Sequence, residues 1–160
     1  MLGYMLTTLA EASGEDWHVR SAGTHVIEGS AMSGRTREAL MAIDELEGHH
    51  FNAHRSHQLS EQDVAWADVI LASEAAHVHF VRRHYESADV KTVQLHQFVR
   101  FAPLDAPLDE QLDVIHSLEP SEEFDVTDPA GGDQDVYHRC ALQLWELAQV
   151  FALLVGRDDA

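Results

Sequence analysis

Four groups of residues in this chain have the types that could do chemistry. Cys140 is the one thiol among 160 residues, so the chain can form neither an internal disulfide nor a CxxC zinc site. It sits on the apolar stripe of the last helical segment, where a small thiol reads as a buried core residue. Twelve histidines, with His49, His50, His54 and His57 in one run and His77, His79 and His84 in another, raise the question of a metal. His77 and His84 share a helical face, but no HExxH or paired carboxylate–histidine spacing accompanies them, and solvated, titrating surface histidines are the simpler reading. Gly29 to Thr36 reads G-x4-G-R-T, one residue off a nucleotide-binding loop. That loop needs a lysine at a point-charge site, which Arg35 does not replace, and no apolar strand ending in aspartate follows to hold magnesium. Finally, Asp128 precedes Pro129 in Asp-Pro-Ala-Gly-Gly. Taken alone, this is an Asx-turn carboxylate before a proline-fixed dihedral.

The elements that must position these groups alternate between helix and strand. Leu2 to Ala12 predicts a helix with Leu2, Met5, Leu6 and Leu9 on one face and Gly14 past its end. Trp17 to Ser21 reads as a short strand, and Gly34 to Glu47 as a helix stopped by Gly48. Ser60 is a suitable N-cap for Glu61 to Ala67, with acids in the first turn where the helix dipole favours them. Asp68 to Ala72 is a continuous apolar run of the kind buried on both faces of a sheet. Ser73 then caps a helix to about Tyr85, and Val90 to Leu95 is another strand. Residues 102–126 are irregular and acidic, with Pro103, Pro107 and Pro120, and Glu110 to Leu118 forms one short helix. Asp133 to Val155 is the longest helix, with Val136, Cys140, Leu144, Leu147 and Phe151 in one stripe. The pattern is βα units around a small parallel sheet, in a single domain over residues 1–160.

Composition narrows the function classes. The chain is 45% hydrophobic and 24% charged, ordinary for a globular protein. Twenty-eight acidic against ten basic residues give a net charge of −18, which repels phosphate backbones and argues against nucleic acid as a partner. No apolar run reaches the length of a membrane span, and Glu11 follows the apolar opening before any Lys or Arg, so neither a membrane nor a signal peptide is expected. The expected location is the cytoplasm, with no cofactor and no metal.

Four ordered segments carry a resemblance: Val19-Arg20-Ser21-Ala22-Gly23-Thr24, Ala53-His54-Arg55-Ser56-His57-Gln58-Leu59, Ala67-Asp68-Val69-Ile70-Leu71-Ala72 and Val126-Thr127-Asp128-Pro129. Together the chain resembles the low-molecular-weight protein tyrosine phosphatases from about Leu2 to Leu154. The resemblance implies a phosphotyrosine-phosphatase-I-like α/β fold, a small parallel sheet with helices on both faces, four-stranded in the family and about three-stranded here. It also implies phosphotyrosine or aryl phosphate hydrolysis through a cysteinyl-phosphate.

The departures matter as much. The family's nucleophile lies in a Cys-x5-Arg loop between the first strand and first helix. Backbone N–H groups and the helix N-terminus hold the phosphate there, the thiol pKa is lowered, and the arginine clamps two oxygens. Here Glu146, not arginine, stands six residues after Cys140, and Met1 to Leu6 aligns with the part of the first helix just beyond that loop. Two explanations are open: a start codon placed at an internal methionine, or a truncated relative that repaired its sheet. The general-acid loop is matched by Asp128-Pro129. Ser21 and His54 match residues that bond behind the phosphate loop, and Glu74 falls where the family has an aspartate pairing with the loop arginine. The substrate lips, usually aromatic, fall at Val26 and Ile27 on one side and Ala130 and Gly131 on the other, which puts a phosphotyrosine preference in doubt.

The resulting expectation is a phosphatase-like domain, inactive as given, whose substrate in an active gene product is a phosphorylated protein or small aryl phosphate. The alternative is a non-catalytic pseudophosphatase that binds a protein partner, or itself, at an open sheet edge. An arsenate reductase, which passes a disulfide between several cysteines, is excluded for a chain with one.

Overall fold

The computed structural model describes residues 1–156; the last four residues of the expected domain lie outside the described residues. The described chain groups into two compact units. The first joins Met1–Gln58 to Thr127–Ala152, and the second runs from Leu59 to Val126 and takes in the chain from Leu153.

The first unit is helical. Helix α1 (Leu2–Ser13) buries Met5, Leu6 and Ala10 and ends at Gly14. Helix α2 (Gly34–Met41) starts at Ser33, whose hydroxyl accepts the Thr36 N–H at 3.1 Å. The near match to a nucleotide loop is therefore a helix cap. The helix expected through Glu47 stops at Met41, because Ile43 turns extended and a 3-10 turn over Asp44–Leu46 carries Ile43 and Leu46 inward. A second 3-10 turn, Phe51–Ala53, buries Phe51. Helix α7 (Gln134–Val155) begins beside Asp133, whose carboxylate accepts the Val136 N–H at 3.1 Å. Its expected stripe buries Cys140, Leu144, Leu147 and Phe151, while Val136 is half-buried.

The second unit holds the sheet. Strands β1 (Ile70–Ala72) and β2 (Thr92–Gln94) pair in parallel, with Ile70 opposite Thr92 and Ala72 opposite Gln94. Helix α3 (Glu61–Trp66) precedes β1 and carries the predicted Ser60 cap as a reciprocal box with Asp63. Helix α4 (Ala75–His84) joins the strands, and α5 (Leu95–Phe101) and α6 (Leu108–His116) follow β2. A small core of Val64, Val81 and Ala88 lies under Leu59, Ile70, Phe80 and Tyr85. This is an α/β fold with a small parallel sheet flanked by helices, as expected.

The particulars differ in four places. The sheet has two strands among the described residues, not about three. Trp17 to Ser21 forms no strand and is held by its side chain instead, the Trp17 ring meeting Phe151 edge-on at 6.2 Å. Pairing of that region survives as one isolated parallel bridge between Gly23 and Gln58. The run Asp68 to Ala72 is not buried on both faces, since Ile70 and Leu71 are half-buried. Ser73 does not cap α4; Glu74 takes the N-cap position without a side-chain bond, and the Ala75 N–H donates to Asp125 Oδ1 at 2.7 Å. Residues 102–126 contain α6 from Leu108, starting after Pro107 rather than at Glu110, and a 3-10 turn over Glu122–Phe124.

Candidate active site

The first turn of α1 lies against two of the expected site residues, Ser21 and His54. A Cβ built on Gly3 would lie 3.4 Å from the Ser21 Cβ, so the helix backbone passes directly over the exposed Ser21. One residue on, the Tyr4 ring lies 6.1 Å from the His54 ring, 5.0 Å from Phe51 and 5.2 Å from His49. The Thr8 hydroxyl and His49 Nε2 are 2.7 Å apart, which fixes the far side of that aromatic group. The first turn contains no acidic residue, so the positive end of the helix dipole meets no carboxylate of its own there.

Electrostatics tie these groups together. Burial pulls the Met1 amine below its ordinary range. His54 is also held below the ordinary histidine range, first by burial and then by repulsion from the Met1 amine and Arg55. Burial pushes the Cys140 thiol up, the Met1 amine opposes that shift, and the Asp128 carboxylate adds to it. Cys140 therefore lies within electrostatic reach of Asp128, yet in an environment that suppresses its thiolate.

Asp128 itself is exposed at the start of a tight turn. Its Oδ1 accepts the Ala130 N–H at 2.9 Å, and the Gly132 N–H donates to the Pro129 carbonyl at 2.9 Å. Gly131 takes φ 82°, and a Cβ on Gly132 would lie within 3.0 Å of the Val136 side chain. Both glycines are thus required by the turn that leads into α7. The Asx turn read from the bare sequence is real, and it leaves the carboxylate at the surface.

Opposite residues of the expected lips lie in the same unit. Val26 is half-buried and Ile27 is 81% exposed. Their loop is laced to residues 56–58. Gly23 N–H donates to the His57 carbonyl at 2.9 Å, Gly29 N–H to Ser56 at 2.8 Å, and Ser56 N–H to Ser30 at 2.8 Å. The Gln58 side chain accepts the Val26 N–H at 3.1 Å and donates to the Thr24 carbonyl at 2.8 Å. Glu28 accepts the Gln58 N–H at 2.7 Å, with its other oxygen 3.1 Å from His57 Nδ1. Sequence reading assigned no role to Gln58 or Glu28. Their partners lie thirty or so residues away, and no local spacing signals such a contact.

Ser21, His54, Val26, Ile27, Asp128, Ala130 and Gly131 therefore share the first unit. Glu74 belongs to the second unit, at the start of α4, 3.8 Å from His77 Nε2. No cluster of three or more His, Cys, Asp or Glu side chains among the described residues is arranged to hold a metal ion. No helix among them is long and apolar enough to cross a membrane.

Comparison with known proteins finds relatives of this chain. Residues 3–159 match the model for low molecular weight phosphotyrosine protein phosphatases. A curated protein-arginine-phosphatase from Geobacillus stearothermophilus is 29% identical over 119 residues, which span 74% of this chain and 64% of that protein. The matched stretch is thus a little under two thirds of that relative's length. The YwlE arginine phosphatase, in a mutant form with a phosphorylated active-site serine, has a similar structure, with a TM-score of 0.78 at 23% identity over 99% of this chain and 88% of that one. A low molecular weight protein tyrosine phosphatase from T. tengcongensis has a TM-score of 0.72 at 26% identity, covering 94% of this chain and 86% of that one.

Proposed function

The chain belongs to the low molecular weight phosphotyrosine protein phosphatase family, and from that premise we propose that it carries the acid half of a phosphatase site acting on phosphorylated protein side chains. Asp128 is the proton donor, and residues 1–160 form one phosphatase-like domain. The observation that carries this reading is the placement of Asp128: an exposed carboxylate on a glycine-built turn, in the same unit as Ser21 and His54 beneath the first turn of α1. In the family reaction a thiolate attacks phosphorus and the bond to the leaving atom breaks. Asp128 gives its proton to that atom, then takes one from the water that cleaves the thiophosphate. Such an acid is worth roughly 10²–10⁴-fold.

The lips favour a phosphorylated guanidino group over phosphotyrosine. Val26, Ile27, Ala130 and Gly131 offer no aromatic face for a phenol ring to stack on. A guanidine is so strong a base that it must depart protonated, which makes the acid indispensable. The Geobacillus relative is named for this activity.

Within the 160 residues no Cys-x5-Arg loop occurs, and Cys140 is buried in α7 with a suppressed thiolate. This chain by itself is therefore proposed to turn over neither phosphoarginine nor aryl phosphate. The same observation favours a second reading, a non-catalytic module that binds a protein partner. Side-by-side assays decide: the 160-residue chain and the protein isolated from its own organism, each given a phosphoarginyl peptide and p-nitrophenyl phosphate. Hydrolysis by the isolated protein alone, lost in Asp128→Asn, supports the enzyme. Silence from both supports the binding module. Thiolate-dependent turnover by the 160-residue chain overturns the inactivity.

A further inference from the structure

We propose that Gln58 is the positioning residue of the substrate lip, and that it fixes Ile27 as an exposed aliphatic contact for the residue bearing the phosphoryl group. The proposal rests on the reading of Val26 and Ile27 as that lip. One side-chain amide spans two backbone groups of the lip segment, two residues apart: its oxygen takes the Val26 N–H at 3.1 Å and its nitrogen donates to the Thr24 carbonyl at 2.8 Å. Only an amide of this length offers an acceptor and a donor side by side, so the pair reads the backbone as a ladder partner would. Gln58 is itself fixed from behind, since its N–H donates to Glu28 Oε2 at 2.7 Å and its backbone forms the bridge to Gly23. Glu28 follows Ile27 directly, so the clamp closes on both sides of the exposed residue.

Gly23 completes the device. A Cβ there would lie 2.3 Å from Val26 Cγ1, far inside contact distance. Val26 therefore folds back over the glycine and is half-buried, and the next side chain is driven outward, leaving Ile27 81% exposed. An apolar side chain held out by a stitched loop does not gain from collapse onto the core. Its rigidity spares a bound side chain the cost of ordering the loop.

The test uses the ¹⁵N-labelled 160-residue chain and two variants. Gln58→Met keeps the side-chain length and removes both bonds. Gln58→Glu, ionised at neutral pH, keeps the acceptor for Val26 and loses the donor to Thr24. The Val26 amide is expected to exchange about fivefold faster in Gln58→Met, the loss of one net hydrogen bond, and to stay protected in Gln58→Glu. The α7 amides should be unmoved in both. Equal Val26 exchange in wild type and Gln58→Met overturns the clamp, as does equal acceleration at Val26 and α7 in both variants, which is what general loosening gives. Should Gln58→Met fail to fold, the wild type and Gln58→Glu still decide: loss of Val26 protection in Gln58→Glu overturns the acceptor role. A phosphoarginyl peptide titrated into the wild type should shift the Ile27 amide resonance, and the shift should fall several-fold in Gln58→Met. With the exchange pattern as expected but no Ile27 shift, the substrate reading of this lip fails and the clamp stands.

Discussion

At the scale of single residues, the two shifted side chains of the first unit make opposite claims on pH. His54 is held down by burial, then by the Met1 amine and Arg55. A depressed histidine adds stability above its unfolded value of about 6.5 and gives it up as the pH falls through the folded value. Acidification through that range should therefore weaken the fold, and the His54 ring signal in an NMR titration should move at lower pH than those of exposed histidines. A midpoint at or above theirs contradicts the burial. Cys140 is raised by burial first, with Asp128 adding and the Met1 amine opposing. Its contribution is present below about 8.5 and lost as pH rises further. Alkylation of the native protein by iodoacetamide near pH 8 should run at least about tenfold slower than for glutathione. Reaction at the free-thiol rate would mean that α7 opens. Cysteine chemistry was thus legible from one fact, a lone thiol on an apolar stripe, because the stripe dictates burial and burial dictates the protonation state.

Elements whose signals lie within a few residues were legible, and those closed from a distance were not. Ser60 and Asp63 form their reciprocal cap three residues apart, and the sequence places that helix to within a residue. Helix α4 is different. Its first N–H, at Ala75, is taken by Asp125, fifty residues on, and the same Oδ1 accepts Gln94 Nε2 at 2.7 Å. Gln94 in turn ties β2 to Ser121, accepting its N–H at 3.2 Å and donating to its carbonyl at 3.0 Å. A fully buried glutamine in a strand is tolerable only because all these partners exist, and no local pattern announces them. The two caps should differ in cost. Ser60→Ala removes one cap, worth about 1 kcal/mol. Asp125→Ala takes the acceptor from the Ala75 N–H and from one of the two Gln94 Nε2 hydrogens, and should cost more, about 2–3 kcal/mol. Urea unfolding with unchanged slope would show both, and equal midpoints would mean that Asp125 closes nothing. The candidate site divides along the same line: the Asx turn at Asp128, announced by its proline and glycines, was legible, whereas the Gln58 contacts were not, their partners lying across the chain.

On the scale of the whole molecule, charge dominates. Acids exceed lysine and arginine by eighteen, so these bases are too few to pair the carboxylates one to one. Ion pairs such as His57 with Glu28 at 3.1 Å lie at the surface, and such pairs are worth little. Self-repulsion of the compact state is therefore the term that ionic strength should relieve. The Debye length falls from about 30 Å at 0.01 M to a few ångströms near 1 M, which spans the distances between neighbouring carboxylates. Raising NaCl from about 0.01 M to 0.5 M at pH 7.5 should lift Tm by several degrees, on the order of 1 kcal/mol. A second series at pH 6 separates the charge from salting-out. There some of the twelve histidines protonate, the net charge shrinks, and the salt increment should shrink with it. An increment of equal size at both pH values would assign the effect to water exclusion from apolar surface rather than to charge. A Tm that does not move at either would mean that repulsion persists equally in the unfolded chain, so that the acidic excess does not set stability.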